Sequence, residues 1–172
     1  NESHLYGSVH FEAGADVVFL DAPTGTGKTI IAELARRRLD VRRGLYVCTT
    51  KSLQEQVARD FGYARVLKGR ANYTPSKIGV REQHGWGADA LAITCRDCDR
   101  GPGGVPMDEQ SCSYCYAVDE CPYQVARGEA ARASVGILNT AFLLTHLNGA
   151  QGKVSPFAQR ELVIADECDL LE

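Results

Sequence analysis

The segment DAPTGTGKT, at residues 21–29, constrains the fold of this chain more than any other stretch. It follows a short apolar run at residues 17–20 and precedes apolar residues that recur at helical spacing. A loop of small residues between a strand and a helix lets successive backbone N–H groups wrap phosphate oxygens. A lysine in such a loop also reaches the phosphates, and a hydroxyl binds Mg²⁺. The segment therefore predicts a P-loop that holds the phosphates of a nucleotide.

Each position of this loop has a predicted role. Gly25 and Gly27 give the backbone its freedom, Lys28 supplies the positive charge and Thr29 supplies the hydroxyl. A glycine-rich turn that merely precedes a lysine is the alternative, and the flanking strand and helix patterns argue against it. The predicted phosphate-binding residues are Ala22, Pro23, Thr24, Gly25, Thr26, Gly27, Lys28 and Thr29.

A second motif follows the last apolar run, at residues 162–165, and consists of the acidic sequence DECD at 166–169. An ATPase needs a carboxylate that holds Mg²⁺ and a second group that orients the attacking water. Asp166 suits the first role and Glu167 the second, although two acidic residues after a strand more often form a cap or a turn. Together with a P-loop upstream they become a strong signal, so the predicted catalytic residues are Lys28, Asp166 and Glu167.

Strand patterns and helix patterns alternate along the chain, which predicts an α/β fold with a parallel sheet flanked by helices. Apolar runs predict strands at residues 17–20, 45–48, 66–67, 135–138 and 162–165. Helical spacing predicts helices from residue 30 to a stop at Gly44, along the stripe of Leu53, Val57 and Phe61, near 122–133 and at 140–147.

Periodicity is lost between residues 69 and 121, where Gly, Pro, Asp and Cys predominate. Such a stretch has too few periodic apolar residues for a core of its own, and small units of this kind often use a metal in place of one. The predicted organisation is therefore a discontinuous core formed by residues 1–68 and 122–172, with a cysteine-rich metal-binding module inserted at 69–121.

Five of the seven cysteines fall in the inserted module. The odd total and the paired Cys-x-x-Cys spacing favour metal binding in a reducing compartment over disulfides. The spacing Cys95-x2-Cys98-x13-Cys112-x2-Cys115 is close to that of a zinc ribbon, which would leave Cys121 over. The two remaining cysteines are predicted to be inert packing residues: Cys48 and Cys168.

The composition is that of an ordinary soluble domain, with 172 residues of which 44% are hydrophobic and 24% charged. No run of 18 or more apolar residues and no secretory leader pattern is present, so we expect a soluble protein of the cytoplasm. The net charge of −3 means that a nucleic-acid partner must be met by local basic patches. The candidate basic residues are Arg36, Arg37, Arg38, Arg42, Arg43, Arg65, Lys68 and Arg70. For the first five of these, a solvated helix face without a nucleic-acid contact is the favoured alternative.

The segments DAPTGTGKT, TTKSLQEQ, VLKGRANY, CPYQVAR, ILNTAFLL and DECD follow one another along the chain. Together they resemble the iron–sulfur superfamily 2 DNA helicases, the DinG and XPD group. The P-loop and DECD mark any such helicase, whereas KGRANY and CPYQVAR are more specific to this group. The resemblance implies the first RecA-like motor domain of an ATP-dependent helicase that moves 5′ to 3′ on single-stranded or fork DNA, with a cluster module inserted in it.

The same resemblance implies a [4Fe–4S] cluster held by Cys98, Cys112, Cys115 and Cys121, with Cys95 as the alternate first ligand. Zinc is the alternative metal, because local spacing alone permits either. A rigid metal-bound module held beside the DNA path would separate the base pairs ahead of the motor.

The resemblance also implies DNA contacts by the loop that contains Thr49, Thr50 and Ser52. Two positions depart from the family pattern: Thr74 stands where the first cluster cysteine commonly follows KGRxNY, and Thr140 follows Asn139 where a histidine is usual. Aromatic residues that could stack on bases, or pack around the cluster, are Tyr73, Trp86, Tyr114, Tyr116 and Tyr123.

Helicases of this superfamily hydrolyse ATP between two RecA-like domains, and the second domain supplies an arginine finger. This sequence does not include that domain, so we expect the chain to bind ATP and Mg²⁺, to hydrolyse ATP slowly and to be a monomer in the cytoplasm or nucleoid. Two other functions stay open at this point. One is a P-loop ATPase or nucleotide switch whose zinc ribbon docks a protein or RNA, and the other is a non-catalytic binding fragment.

Overall fold

The computed structural model describes residues 17–21, 23, 25–76, 94–96, 121–148, 156–157 and 159–166, with the backbone alone at 145–148. Its helices are α1 (Lys28–Arg38), α2 (Lys51–Asp60), α3 (Pro122–Arg132) and α4 (Thr140–Asn148), with a 3₁₀ turn at Arg70–Asn72. Its strands are β1 (Gly44–Cys48), β2 (Arg65–Leu67), β3 (Val135–Asn139) and β4 (Leu162–Ala165). None of the helices in these ranges is long and apolar enough to cross a membrane.

The four strands form one parallel sheet in the order β2-β3-β1-β4. Four of the five predicted strands are therefore present, and the helices predicted near 122–133 and at 140–147 are confirmed to within one residue. The stripe of Leu53, Val57 and Phe61 begins on the helix Lys51–Asp60 and ends one residue beyond it. The parallel sheet with flanking helices is the α/β arrangement that the sequence predicts, and it is consistent with a RecA-like fold.

The core lies in two layers, one on each face of the sheet. Successive side chains of a strand point to opposite faces, so Leu45 and Val47 of β1 join one apolar cluster while Tyr46 and Cys48 join the other. Helices α3 and α4 pack against the first cluster, and α1 and α2 pack against the second. Cys48 is fully buried, which fits the packing role predicted for it.

Helix α1 does not bury the whole apolar face that its sequence predicts. Ile31 is buried, but Ile30 and Leu34 are 58% and 44% exposed. The helix instead buries a charged pair, Glu33 and Arg36, whose side chains are joined at 2.7 Å. An ion pair with good geometry satisfies both groups in the interior, which apolar periodicity alone does not reveal.

The predicted end of α1 at Gly44 is wrong, because the helix ends earlier, at Arg38. Asp40 takes a left-handed conformation with φ 52° and turns the chain away from the helix axis. Gly44 opens β1, where a β-carbon would approach the Arg36 Cδ to 3.1 Å. The glycine therefore serves a close approach between strand and helix.

The predicted strand at residues 17–20 is also not found. These residues take no regular secondary structure in the described chain, and Val17 and Phe19 are 66% and 82% exposed. An apolar run becomes a strand only where a neighbouring strand offers its backbone N–H and C=O groups. Sequence pattern identified the run but not a pairing partner, which is why this prediction failed.

Most of the predicted cysteine-rich module lies outside the described residues. The described parts near its limits are the segment through residue 76, residues 94–96 and the start of α3 at Pro122. The division into a core and an inserted module at 69–121 therefore stays a prediction.

Candidate nucleotide-binding site

Three polar segments meet at one edge of the sheet, because parallel strands end on the same side. Thr49 follows β1, Asn139 ends β3, and Asp166 follows β4. The register pairs Cys48 with Asn139 and Val47 with Ala165, so the three strand ends are level. Ligands of open parallel sheets bind outside the carboxyl ends of the strands, which makes this edge the candidate site.

The P-loop has the backbone conformation that its glycines predict. Gly25 and Gly27 have φ values of 83° and 78°, in the left-handed region that residues with a β-carbon avoid. The Thr26 hydroxyl donates to the Pro23 carbonyl at 2.8 Å. The Ile31 N–H donates to the Gly27 carbonyl at 2.9 Å, which closes the first turn of α1.

Lys28 and Thr29 are consequently the first two residues of α1, at the positive end of the helix dipole. Two other predicted phosphate-binding residues, Ala22 and Thr24, lie outside the described residues. The described part of the loop therefore carries the lysine and the hydroxyl into a helix N-terminus, as phosphate binding requires.

Tyr46 connects this loop to the acidic motif. Its hydroxyl donates to Asp166 Oδ2 at 2.8 Å and lies 3.4 Å from Thr29 Oγ1. The Asp166 backbone N–H also donates to the Val47 carbonyl at 2.9 Å, which extends the β1–β4 pairing by one bond. Thr29 and Asp166, 137 positions apart in the numbering, are thus no farther apart than two consecutive hydrogen bonds.

The donor set suits Mg²⁺. A threonine hydroxyl and an aspartate carboxylate are hard oxygen ligands, and Mg²⁺ in proteins commonly takes one or two such groups together with phosphate oxygens. Thr29 and Asp166 are the residues that would hold the ion. Glu167, predicted to orient water, lies outside the described residues, so its role stays a prediction.

Tyr46 remains a hydrogen-bond donor over the whole physiological range. Burial of its ring and hydroxyl raises the pKa of Tyr46, and the neighbouring Asp166 carboxylate raises it further, while the bond with Thr29 lowers it. The net shift is upward, so the phenol stays protonated. Sequence reasoning assigned Tyr46 only to a buried strand. The signal that could have found it is a hydroxyl-bearing residue in an otherwise apolar strand that ends at this edge.

The loop predicted to contact DNA lies at the same edge. Thr50 is the N-cap of α2, and its hydroxyl accepts the Leu53 N–H at 3.4 Å and lies 3.2 Å from the Ser52 hydroxyl. The Asn139 side-chain amide donates to the Thr49 carbonyl at 2.9 Å. This bond links the end of β3 to the loop, so Asn139 has a supporting role that the sequence alone did not reveal.

Cys95 and Cys121 belong to one buried cluster, with exposed fractions of 3% and 7%. The Cys95 N–H donates to the Tyr73 carbonyl at 2.8 Å, and the Tyr73 and Tyr123 rings meet edge to face at 5.8 Å. The Arg70 guanidinium lies 5.0 Å above the Tyr123 ring. Tyr123 is itself buried, so of the two roles predicted for it the structure shows packing rather than an exposed stacking surface.

The other predicted cluster ligands, Cys98, Cys112 and Cys115, lie outside the described residues. Within the described ranges no group of three or more metal-binding side chains comes together.

The predicted basic patch on α1 is divided in two. Arg36 is buried and donates to Glu33 at 2.7 and 2.8 Å and to the Val41 carbonyl. Arg37 is exposed, donates to Glu33 at 2.7 Å and contacts the Tyr63 hydroxyl at 3.3 Å. Arg36 is therefore a structural residue and is removed from the candidates for nucleic-acid contact.

Residues 8–85 match the family model of the DEAD/DEAH box helicases. The match spans the P-loop and the loop after β1, and it indicates a helicase domain of superfamily 2. At that general level it supports ATP-dependent activity on nucleic acid, with ATP and Mg²⁺ as plausible ligands. No curated protein and no solved structure matches the chain significantly.

Proposed function

We propose that this chain is the first motor domain of a DinG- and XPD-like DNA helicase, which binds ATP and Mg²⁺ at the carboxyl edge of the sheet and single-stranded DNA beside them. One observation supports the site above all others. Tyr46 hydrogen-bonds Asp166 and contacts Thr29, so residues of the P-loop and of the acidic motif lie on either side of one phenol.

Each side chain of the pocket has a distinct task in this proposal. Lys28 binds oxygens of the β- and γ-phosphates, and Thr29 and Asp166 hold Mg²⁺. Glu167 orients the attacking water. Mg²⁺, when bound, would neutralise the negative charge that develops on the phosphate oxygens during hydrolysis. A second RecA-like domain would close the cleft and contribute an arginine finger.

DNA binding is assigned to the loop after β1. Thr49, Thr50 and Ser52 present hydroxyl and backbone groups at the edge that also carries Asp166. Hydroxyls and backbone N–H groups are common partners of the nucleic-acid backbone. Because the DNA loop and the nucleotide site share the end of β1, closure around ATP can be transmitted to the DNA. Movement from 5′ to 3′ is proposed from the family resemblance.

The cysteine module is proposed to hold a [4Fe–4S] cluster, with Cys112, Cys115 and Cys121 as ligands. Cys98 is proposed as the fourth ligand, and Cys95, which is buried in the same cluster as Cys121, is the alternate. Iron with acid-labile sulfide in protein purified without oxygen is the expected result, and its loss in Cys98→Ser but not in Cys95→Ser would support the first choice, whereas the reverse would support the alternate. One zinc per chain would instead favour the ribbon alternative.

The nucleotide site is tested with Lys28→Ala and a fluorescent ATP analogue. Loss of a charge-assisted phosphate contact should weaken binding about tenfold or more. Arg59→Ala is the matched control, because Arg59 is exposed in the last turn of α2, and a helix that follows a parallel strand returns to the opposite edge of the sheet. Equal affinities of Lys28→Ala and wild type would contradict the proposed site.

The substrate and polarity are tested with labelled nucleic acids. The chain should bind oligo(dT) more tightly than duplex DNA, and Thr50→Ala should weaken that binding. With both motor domains present, ATP should drive displacement from a duplex that has a 5′ single-stranded arm. Displacement only from a 3′ arm would refute the proposed direction.

A further inference from the structure

Tyr46 is held more firmly than either of the groups it contacts. It lies in the middle of β1, its side chain is 3% exposed, and β1 is paired on both sides, with β3 and with β4. Thr29 and Asp166, in contrast, lie at the beginning of a helix and just after the end of a strand. The phenol of Tyr46 is therefore the most firmly held group of the site, although Tyr46 belongs neither to the P-loop nor to the acidic motif.

A phenol has one proton, so its two contacts differ in kind. The shorter contact, 2.8 Å to a carboxylate oxygen, takes the proton because charge-assisted hydrogen bonds are shorter and stronger than neutral ones. At the longer contact, 3.4 Å, the phenol lies beside the Thr29 hydroxyl oxygen without a second proton to donate. A single phenol therefore contacts a proposed metal ligand from each of the two motifs.

We propose that Tyr46 is a positioning residue for Mg²⁺, which sets the rotation of the Asp166 carboxylate and of the Thr29 hydroxyl before the metal–nucleotide complex binds. This inference rests on the proposed function of the site. The Asp166 backbone is already fixed through its bond to the Val47 carbonyl, so carboxylate rotation is what the phenol controls. Pre-oriented ligands bind with a smaller loss of conformational freedom.

Two binding constants should respond differently to loss of the Tyr46 hydroxyl. Tyr46 contacts both proposed metal ligands, Thr29 and Asp166, so its hydroxyl should matter more for binding of the nucleotide with Mg²⁺ than for binding of the nucleotide alone. Tyr46→Phe removes only the hydroxyl and keeps the ring that packs in the core. A general loosening of the pocket would weaken both binding modes alike.

The experiment measures the affinity of a fluorescent ATP analogue in excess Mg²⁺ and in EDTA. For Tyr46→Phe we expect the EDTA affinity to stay within about twofold of wild type and the gain on adding Mg²⁺ to fall about three- to tenfold, as loss of one hydrogen bond implies. Tyr63→Phe is the matched control, since it also loses side-chain hydrogen bonds, with Arg37 at 3.3 Å and with Glu33, at an exposed position away from Thr29 and Asp166 in the described contacts. It should behave as wild type.

A Mg²⁺ gain in Tyr46→Phe equal to that of wild type would overturn the inference and leave the proposed function standing. Equal losses with and without Mg²⁺ would also overturn it, since they indicate a packing role. If wild type itself shows no Mg²⁺-dependent binding, the proposed nucleotide site fails together with the inference.

Discussion

Single side chains explain why α1 is stable with a charged group in its buried face. Glu33 is desolvated by burial, which raises its pKa, but hydrogen bonds from Arg36, Tyr63 and Arg37 outweigh that effect. The pKa of Glu33 is lowered from 4.5 to about 2. The periodicity of the sequence predicted the helix correctly, whereas this network was not predictable, because Tyr63 reaches it only through the tertiary fold.

The lowered pKa makes Glu33 a source of pH-dependent stability. A carboxylate whose pKa is lower in the folded state stabilises the fold above its unfolded pKa, and this contribution is lost as the pH falls from about 4.5 towards about 2. At pH 7 Glu33→Gln should therefore lower the free energy of unfolding, by up to about 3 kcal/mol. The difference from wild type should shrink as the pH falls from 5 to 3.

Denaturant unfolding at several pH values measures this difference. The matched control is Glu55→Gln, which removes an exposed ion pair with Lys68 and should have little effect at any pH. A pH-independent effect of Glu33→Gln would show that shape, and not charge, explains the role of Glu33.

Helices and strands were predictable where an apolar sequence pattern coincides with a packing or strand partner in the fold. Strand β1 and the Val57 face of α2 are apolar in sequence and buried in the structure, as predicted. Residues 17–20 have the same apolar pattern but take no strand in the described chain, because a strand also needs a partner that local sequence does not specify. The end of α1 was missed because a left-handed Asp40, and not a glycine, ends that turn.

The packing of α3 on β3 depends on a small residue at Gly136. A β-carbon there would lie 3.0 Å from the Ala130 carbonyl oxygen and 3.2 Å from Leu45 Cδ2. Backbone cannot move aside cheaply, so Gly136→Ala should reduce the free energy of unfolding by about 1–3 kcal/mol. In Gly62→Ala, where no atom lies within 4 Å, the change should stay within about 0.5 kcal/mol.

Thermal or denaturant unfolding of both variants checks this expectation. If Gly136→Ala were as stable as wild type, the close packing of α3 against β3 described here would be incorrect.

In the molecule as a whole, the sheet brings residues from distant parts of the chain to one edge. The sequence predicted that Lys28, Thr29 and Asp166 form one site, and in the fold Thr29 and Asp166 both contact Tyr46, while their joint role in binding a nucleotide stays a prediction. The contacts of Tyr46 and Asn139 could not be predicted, since both depend on the register of neighbouring strands. The burial of Cys95 beside the Cys121 cluster was likewise a property of the tertiary fold.

The claim that the P-loop and the acidic motif hold one Mg²⁺ ion is tested most directly by a double-mutant cycle. Thr29→Val, Asp166→Asn and the double variant are compared by the gain in affinity for an ATP analogue on adding Mg²⁺. If both residues bind the same ion, the Mg²⁺-dependent gain in affinity should be only slightly smaller in the double variant than in the more damaging single variant. The effects of substitutions at coupled residues are not additive. Losses that add as for independent sites, or a gain that neither substitution changes, would contradict a shared metal site.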